Sequence, residues 1–487
     1  WDYDWFAIRN AWYFYDKVDM VNDGTPQSYI NQRKAEALGL VAQRYYEMFK
    51  RYGGLPWIDH YITMGESIDM SRMSITRTVD SICSLLDRAI AMPELPERNA
   101  VNEFGRVNKV ALRMLKARVL LWSASPLFNP EDNQSYYPSF NKQELIKHET
   151  YDKNRWQEAA DACLEAINAA HGAGYALYTK YGDPVKDYKA AVTEFPDIDA
   201  NGTAKGNPEI IWGTRPADSY ASETYQSGSR VTIWSTLKQL RGTVGTYLIP
   251  LQNMVDKYEL RDGSDQPSDY WETTSDPYNN LDRRFNATIY HHGYKLGKTV
   301  GPFTLDMRME PAGDQYPAGA QNFTGYYLAK FFDDDYIAGA GNYPQAFWPY
   351  MRLSDLYLMY AEALNEVDYA SNSGEILHYV NLVRNRAGQP NLEDKPGFQA
   401  TQAYVRECIR KERIVELCYE DQIYFDYKRW KVGDKYIGGN MYGMRITGDM
   451  ANPTFSKFLY ETRVWSSKWY LFPLYQTDVL TTNGVLA

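Results

Sequence analysis

Two parts of the chain carry the pattern that most restricts its fold, an apolar stripe at helical spacing built largely from alanine. The stripe in 154–171 consists of Trp156, Ala159, Ala160, Cys163, Ala166, Ile167 and Ala170. The stretch 105–125 carries a second stripe, of Val110, Met114, Ala117, Leu121 and Ala124, and Pro126 ends it. Because alanine lets a neighbouring helix approach closely, the pattern is typical of tetratricopeptide-like helix pairs, although the strict consensus does not recur at a fixed period.

Helical patterns return in 348–432. One helix is predicted from the stripe Leu353, Leu356, Tyr357, Tyr360, Ala363, Leu364 and Val367. A second helix is predicted to begin near Ser373, a candidate N-cap, and to end at Gly388. Two further helices are predicted over 401–419 and 421–431. This part of the chain therefore completes the predicted helical scaffold.

Residues 172–347 have a different texture, rich in the Gly, Pro, Asn and Asp that mark turns. Short strand-like runs occur at 209–213 and 287–290, and one amphipathic helix is predicted at roughly 248–259. Long irregular segments held on a rigid scaffold usually carry function. The predicted fold is mostly α. It is one domain over 1–487, with tetratricopeptide-like helical parts at 1–171 and 348–432, a loop-rich, ligand-contacting part with short strands at 172–347, and a loop-rich C-terminal part at 433–487.

Aromatic residues make up 15% of the chain, and 42 of its 487 residues are tyrosine. A ring with a polar edge suits half-wet surfaces that bind sugars or peptides, whereas each phenol in a core must find a partner for its hydroxyl. The candidate ligand-binding residues are Tyr220, Tyr225, Arg230, Trp234, Tyr247, Tyr270, Trp271 and Tyr278. Trp212 is a weaker candidate, and the polar companions are Arg215, Gln226 and Asn253. The alternative for each ring is a tyrosine-rich core with satisfied hydroxyls.

The charge balance argues against nucleic acid as a partner, because 52 basic residues are diluted among 62 acidic ones. The sequence also contains no strong catalytic signature, neither a glycine-rich phosphate loop, nor a Gly-x-Ser-x-Gly elbow, nor His-Glu-x-x-His. We therefore predict a protein that is not an enzyme, with no catalytic residues and no cofactor.

Three carboxylates at four-residue spacing need a separate interpretation. Glu412, Glu416 and Glu420 lie on one predicted helix, among Arg410, Lys411 and Arg413. Glycosidases place their two carboxyls on opposite sides of a cleft, so an internal ion-pair network is the better interpretation. The network could also tie this helix to Lys428 and Arg429 on the next one.

No metal site is predicted. His291 and His292 are adjacent, so on a strand they face opposite sides. The run 333–335 of three aspartates lacks the spaced ligands of a calcium loop and is predicted to be a solvated turn. The cysteines Cys83, Cys163, Cys408 and Cys418 lack metal-ligand spacing and are predicted to be small buried residues. Cys408 and Cys418 are expected on one helix, about 15 Å apart, and so unable to form a disulfide.

Motifs spread over nearly the whole chain resemble the SusD/RagB family, in the family's order. They are 45–56 with its Tyr-Gly-Gly-Leu-Pro turn, 105–107, 117–129, Asn207-Pro208-Glu209, 254–259 with 262–263, 282–285, 352–363, 380–388, and Glu412-Arg413 through Arg429-Trp430. The chain departs from the family where glycine is usual after the third glutamate, since Asp421 stands there. The motifs look like determinants of the fold and say little about the ligand.

This resemblance implies a lipid-anchored protein exposed on the bacterial outer membrane. Such a protein would capture oligosaccharides and act as a hinged lid on a SusC-like, TonB-dependent β-barrel transporter. The lipid would be attached upstream of Trp1, since the chain opens inside an aromatic, helix-like segment and an N-terminal portion is expected to have been removed. Family sites also draw on loops upstream of Trp1 and on the segment before Met254, which leaves 220–247 as the best remaining region.

Three alternatives remain open. An oligopeptide-binding, RagB-like lid of a peptide importer would use the same fold. A hydrolase would need two opposed carboxylates about 5 to 10 Å apart in a cleft. A protein-interaction scaffold would use a concave helical face that is free of neighbours.

Overall fold

The computed structural model describes residues 2–194, 197–198, 204–205, 207–214, 248–296, 303–310, 313, 322–331, 348–482 and 484–486. Its α-helices are α1 (Asp2–Lys17), α2 (Gln27–Tyr52), α3 (Ile75–Ile90), α4 (Lys109–Ala124), α5 (Asn154–Gly172), α6 (Pro184–Thr193), α7 (Gln252–Val255), α8 (Tyr270–Thr273), α9 (Arg284–Thr288), α10 (Leu353–Arg386), α11 (Gln402–Glu416), α12 (Ile423–Arg429), α13 (Gly433–Tyr436) and α14 (Gln476–Thr481). Its strands are β1 (Asp197–Ile198), β2 (Ala204–Lys205), β3 (Ile210–Gly213), β4 (Ile289–Tyr290), β5 (Lys295–Leu296), β6 (Phe303–Thr304), β7 (Tyr327–Leu328), β8 (Pro349–Arg352), β9 (Gly439–Gly448) and β10 (Pro453–Arg463).

The helical scaffold consists of helices that pack on their chain neighbours. Contacts join α1 to α2, α2 to α3, α3 to α4 and α4 to α5, and then α5 to α10 and α10 to α11. Every residue of the predicted stripes in α4 and α5 is buried, and Ala159, Cys163 and Ala166 are fully inaccessible. The mostly α, tetratricopeptide-like fold is therefore confirmed, and the contact of α5 with α10 joins the two helical parts across the irregular region.

The helix α10 contains a break that the sequence analysis placed at the wrong residue. Asp368 has extended backbone angles, and its carboxylate accepts hydrogen bonds from the Ala370 amide at 3.1 Å and the Ser371 hydroxyl at 2.6 Å. Asp368, and not Ser373, is therefore the N-cap of the second half. The predicted end at Gly388 is confirmed, because Gly388 has φ +72° and the Gln389 amide donates to Arg384 O at 2.9 Å, as in a Schellman motif.

The helices at the end of the scaffold are shorter than predicted. The helix α11 ends at Glu416, and α12 begins only at Ile423. Cys418 therefore lies in the connecting loop and does not share a helix with Cys408, which corrects the prediction. Cys163 and Cys418 are buried as expected, whereas Cys83 and Cys408 are only half-buried. The predicted helix at 248–259 is reduced to the single turn of α7.

The C-terminal part was predicted to be loop-rich, but it contains a long antiparallel hairpin. β9 pairs with β10 from Gly448 opposite Pro453 to Gly439 opposite Arg463, with an irregularity between Leu459 and Glu461. The buried face of the hairpin carries Met444, Ile446 and Phe455, which close a second hydrophobic core. That core belongs to the irregular half, and its other members include Val255, Tyr258, Phe285 and Tyr326.

A buried ion-pair cluster, here called the Glu416 network, joins the irregular half to the scaffold. Its cations are Arg284, Lys330, Arg352, Arg384, Arg386 and Lys395, and its carboxylates are Glu209, Glu259, Asp282, Glu412, Glu416 and Glu420. All twelve side chains are buried. The carboxylate of Glu416 is bound by Arg284 at 3.1 Å, by Arg352 at 3.0 Å and by Arg386. Burial opposes its ionisation, but these guanidiniums hold the pKa of Glu416 well below its usual range.

A second buried cluster, the Asp426 network, fastens α12 to the scaffold. It contains Arg118, Arg413 and Arg429 with Asp355, Glu362 and Asp426. Arg413 lies between Asp355 at 2.9 Å and Asp426 at 3.0 Å, and Arg429 binds Glu362 at 2.5 Å. Burial raises the pKa of Glu362, but the charges of Arg429 and Arg413 outweigh burial and lower this pKa to about 2. Three positive and three negative side chains therefore balance each other inside the protein.

The predicted ion-pair network of Glu412, Glu416 and Glu420 is thus confirmed, but its partners differ from those expected. The arginines that bind these carboxylates come from distant segments, at 284, 352, 384 and 386. Arg410 pairs with Glu407 on the surface, and Arg429 belongs to the Asp426 network. The predicted tie to the next helix is therefore made by Arg413 with Asp426, and not by the three glutamates.

The substitution Glu416→Gln tests the energetic role of the Glu416 network. It leaves three buried guanidiniums without their shared carboxylate, and breaking a buried ion pair in this way costs about 3–5 kcal/mol. The matched control is Glu461→Gln, because Glu461 pairs with Arg463 on the surface, with side chains 40% and 45% exposed. An exposed pair of this kind contributes about 1 kcal/mol or less. Urea unfolding measures both changes, and equal losses for the two variants would contradict the assigned role.

Candidate functional site

Three of the predicted ring residues lie in the second hydrophobic core and not on an open surface. Tyr270, Trp271 and Tyr278 are 4%, 2% and 4% exposed. The Tyr270 hydroxyl donates to Pro277 O at 2.6 Å, and the Trp271 indole donates to Gln266 Oε1 at 3.1 Å. The polar atoms of Tyr270 and Trp271 are thus satisfied inside the protein, and the burial of all three rings makes packing their role. The prediction that they bind ligand is corrected to the alternative of a tyrosine-rich core.

Other candidates have separate outcomes. Tyr220, Tyr225, Arg230, Trp234 and Tyr247 lie outside the described residues, as do Arg215, Gln226 and the aspartates at 333–335. Trp212 is a core residue whose indole donates to Gly105 O at 3.0 Å. His291 stacks on Tyr278 at 4.2 Å and His292 accepts from the Met307 amide, so both histidines serve the core. Within the described ranges no group of three or more His, Cys, Asp or Glu could hold a metal ion.

The structure instead assembles an aromatic cleft from segments that are distant in sequence. This tyrosine cleft is an open cavity of about 560 Å³. It is lined by Ile249, Leu251, Asn253, Met254, Asp256, Lys257, Cys418, Tyr419, Asp421, Ile423, Tyr424, Tyr427, Lys435, Tyr436, Met441 and Arg463. Four tyrosine rings, two methionines and several charged groups therefore face one hollow, next to the point where the described chain resumes at residue 248.

The four tyrosine rings of the cleft are partly exposed to solvent. Tyr424 is 41% exposed, whereas Tyr419, Tyr427 and Tyr436 are half-buried. Tyr427 stacks on Tyr436 with ring centroids 4.8 Å apart and an interplanar angle of 21°. Tyr424 and Tyr427 are three residues apart on α12, which places them on the same side of the helix, while Phe425 between them is buried. Flat apolar faces with polar edges are thus available to a ligand without unfolding any core.

Polar contacts and the Glu416 network fix the walls of the cleft. Asn253 accepts from the Tyr442 amide at 2.7 Å and donates to Asn440 O at 3.0 Å, which pins α7 to β9. Lys330 donates to Glu416 O at 3.0 Å and Cys418 O at 2.9 Å, which holds the loop that carries Tyr419. Since Glu259, two residues after Lys257, also pairs with Arg384 of the network, both walls are anchored to one charged core.

The loop between α11 and α12 is strained where it borders the cleft. Tyr419 and Asp421 have φ values of +63° and +61°, in the left-handed region that favours glycine. At Asp421 the resemblance had led us to expect glycine, and the positive φ explains that preference. Lys330 donates hydrogen bonds to the backbone carbonyls of Glu416 and Cys418, just before Tyr419, and these bonds keep the loop in this conformation.

Two other cavities in the described part of the chain are less suited to a sugar or a peptide. A groove of about 470 Å³ between α1 and α2 is lined mostly by aliphatic residues and by Phe14 and Tyr29, and Arg33 already covers the Tyr29 ring at 4.6 Å. A polar hollow of about 300 Å³ at the start of α3 has no aromatic lining residue. The tyrosine cleft is therefore the candidate functional site.

Sequence reasoning missed the four rings of this cleft and found only Asn253, as a polar companion. The local signal that was available is the spacing of Tyr424 and Tyr427 on either side of the buried Phe425. Tyr436 and Tyr419 carry no such signal, because their neighbours in the cleft lie far away in the sequence.

The fold is a tetratricopeptide-like helical scaffold with a large irregular half. The sequence model of the SusD family matches residues 208–486, more than half of the chain, and the chain belongs to this family. No described helix has the length and apolar character needed to cross a membrane.

Individual relatives agree with the family assignment. The SusD-like protein P2 of Formosa agariphila is 32% identical over 118 residues, which spans only 23% of this chain and 23% of that relative. A SusD-like protein from Bacteroides fragilis NCTC 9343 superposes with a TM-score of 0.75 at 23% identity, over 99% of this chain and 84% of the other. Surface glycan-binding protein A from Bacteroides thetaiotaomicron, in complex with laminarihexaose, superposes with a TM-score of 0.57 at 17% identity, over 99% and 84% of the two chains.

The strained position of Asp421 gives a prediction for the loop. A β-branched residue fits the left-handed region worst, so Asp421→Val is expected to destabilise the protein by about 1–2 kcal/mol, whereas Asp421→Gly is expected to cause no loss. Thermal unfolding of the two variants beside the unchanged protein measures the effect. If valine is tolerated as well as glycine, the loop is not held in the conformation described.

Proposed function

We propose that this protein captures oligosaccharides in the tyrosine cleft at the bacterial cell surface and delivers them to a SusC-like, TonB-dependent transporter. The observation that carries the proposal is the set of four accessible tyrosine rings around one hollow. Membership of the SusD family and the laminarihexaose bound by a protein of similar fold support a carbohydrate ligand. An outer-membrane location and an N-terminal lipid anchor belong to this proposal, because both are typical of the family.

The expected strength of binding suits delivery. A sugar that covers one ring face removes about 50 Å² of apolar surface from water, worth roughly 1.3 kcal/mol per ring. Three rings then contribute about 4 kcal/mol, which corresponds to a millimolar dissociation constant before hydrogen bonds are counted. A ligand bound this weakly exchanges rapidly, as a protein that passes its ligand to a transporter requires.

The carboxylates near the cleft favour binding over hydrolysis. Asp256 pairs with Lys457 at 3.0 Å and accepts from Gln252 at 2.7 Å, and Asp421 is the remaining carboxylate of the described lining. Glu412, Glu416 and Glu420 are buried in ion pairs. A glycosidase needs one carboxyl as acid and another as base or nucleophile, flanking the same bond. The described lining does not offer such a pair.

Alanine substitutions in the cleft test the proposal. Tyr424→Ala is expected to weaken binding of the best oligosaccharide from a glycan panel about eight- to tenfold, because it removes about 1.3 kcal/mol of ring contact. Tyr436→Ala is also expected to weaken binding, because it removes the ring against which Tyr427 and Lys257 are held. Isothermal titration calorimetry measures the affinities. The matched control is Tyr137→Ala, since Tyr137 is 42% exposed, like Tyr424 at 41%, and does not line the cleft.

The outcomes separate the proposed function from its alternatives. Equal affinities for the Tyr424, Tyr436 and Tyr137 variants would place the site elsewhere. Binding of oligopeptides and of no glycan in the panel would replace the proposal with the peptide-importer alternative, and hydrolysis of a bound oligosaccharide by the purified protein would replace it with the enzyme alternative.

A further inference from the structure

Two lysines converge on one ring of the tyrosine cleft. The Lys257 ammonium lies 4.4 Å from the centroid of the Tyr436 ring, and the Lys435 ammonium lies 4.9 Å from it. The two side chains come from different segments, the turn after α7 and the short helix α13. Both positive charges are therefore placed beside the same flat, half-buried surface.

Neither lysine has a carboxylate partner among the residues described. Two other charges of the lining are engaged, Asp256 with Lys457 at 3.0 Å and Arg463 with Glu461. Burial raises the pKa of Asp421, and the charges of Lys50 and Arg51 on α2 offset this only in part. Glu407, the carboxylate that acts on both Lys257 and Lys435 from a distance, is bound to Arg410 at 3.0 Å.

The crowding of positive charge at Lys257 has an electrostatic cost that an anion would relieve, whereas a hydrogen bond with Tyr436 raises the pKa of Lys435. Burial lowers the pKa of Lys257, and the neighbouring ammonium groups of Lys435 and Lys411 lower it further. The chain as a whole carries a net charge of −10, so this local excess of positive charge is not part of a basic surface. A ligand with an anionic group that reaches Lys257 and Lys435, and with a ring that covers the more exposed Tyr424 of the same cleft, would fit this arrangement.

We propose that the tyrosine cleft selects acidic oligosaccharides, with a sugar ring stacked on Tyr424 and a carboxylate or sulfate ester bound by Lys257 and Lys435 beside Tyr436. This inference rests on the proposed function, since it names the class of glycan that the same cleft takes. Uronates and sulfated sugars share the anionic chemistry that the two lysines recognise.

The test compares acidic oligosaccharides with matched neutral ones by isothermal titration calorimetry. The probes are oligogalacturonate and oligoalginate, each with its carboxyl-reduced counterpart, and chondroitin sulfate oligosaccharides with their desulfated counterparts. At least one acidic probe is expected to bind ten or more times tighter than its neutral counterpart in 50 mM salt, and the ratio is expected to shrink in 500 mM salt. Comparison of the carboxyl-reduced and desulfated arms shows which anion the lysines prefer.

Variants at the two lysines make the test specific. The double variant Lys257→Gln with Lys435→Gln is expected to bring the affinity for the acidic probe down to that for its neutral counterpart. It should lower the affinity for the acidic probe by a larger factor than the affinity for its neutral counterpart. The matched control is Lys468→Gln, since Lys468 lies over the Trp469 ring at 6.0 Å outside the cleft, and it is expected to change neither affinity.

The possible failures are distinct. If neutral and acidic members of every pair bind equally and the lysine variants change nothing, acid selection is overturned and oligosaccharide capture stands. If no oligosaccharide binds, whether acidic or neutral, the proposed function fails together with this inference.

Discussion

The shared burial of six cations and six carboxylates in the Glu416 network is the constraint on which the rest of the structure depends. A buried charge is costly unless it is fully paired, so each member requires the others to be in place. The members come from the irregular half, at Glu209, Glu259, Asp282 and Lys330, and from the scaffold, at α10 and α11. Hydrophobic contacts are not directional and would permit several relative positions of the two halves. The paired charges of the network require one relative position.

The same network positions the cleft. Glu416 is the last residue of α11. Lys330 donates hydrogen bonds to the carbonyls of Glu416 and Cys418, at the start of the strained loop. On the other wall, Glu259 anchors the segment that carries Met254 and Lys257. The Asp426 network holds α12, and thus Tyr424 and Tyr427, in the same way. The cleft is thus built on rigid supports, as a preorganised binding site requires.

Much of this fold could be predicted from sequence because helical spacing and alanine content report packing directly. The stripes of α4 and α5 were predicted residue by residue. Several charged residues of the family motifs, regarded as fold determinants, are members of the two networks, among them Arg352, Glu420, Glu362 and Arg429. The break in α10 was misplaced because the turn-forming residues at 371–374 give a stronger signal than the single Asp368 at which the helix breaks. The β9–β10 hairpin was missed because Gly443 and the irregularity near Tyr460 interrupt the alternation by which a strand is recognised. The division of the chain into four parts stays a prediction.

The candidate site could not be predicted to the same extent. Tyr278 and Tyr424 are chemically identical, and only tertiary contacts decide that the first stacks on His291 in a core while the second lines a cleft.

The role of the tyrosine cleft in ligand binding is tested most directly by hydrogen–deuterium exchange with and without a saturating oligosaccharide. Protection is predicted at 249–257, 418–427 and 433–441, with no change in α1 to α5. Protection confined to the groove between α1 and α2, or anywhere outside the cleft segments, would contradict it.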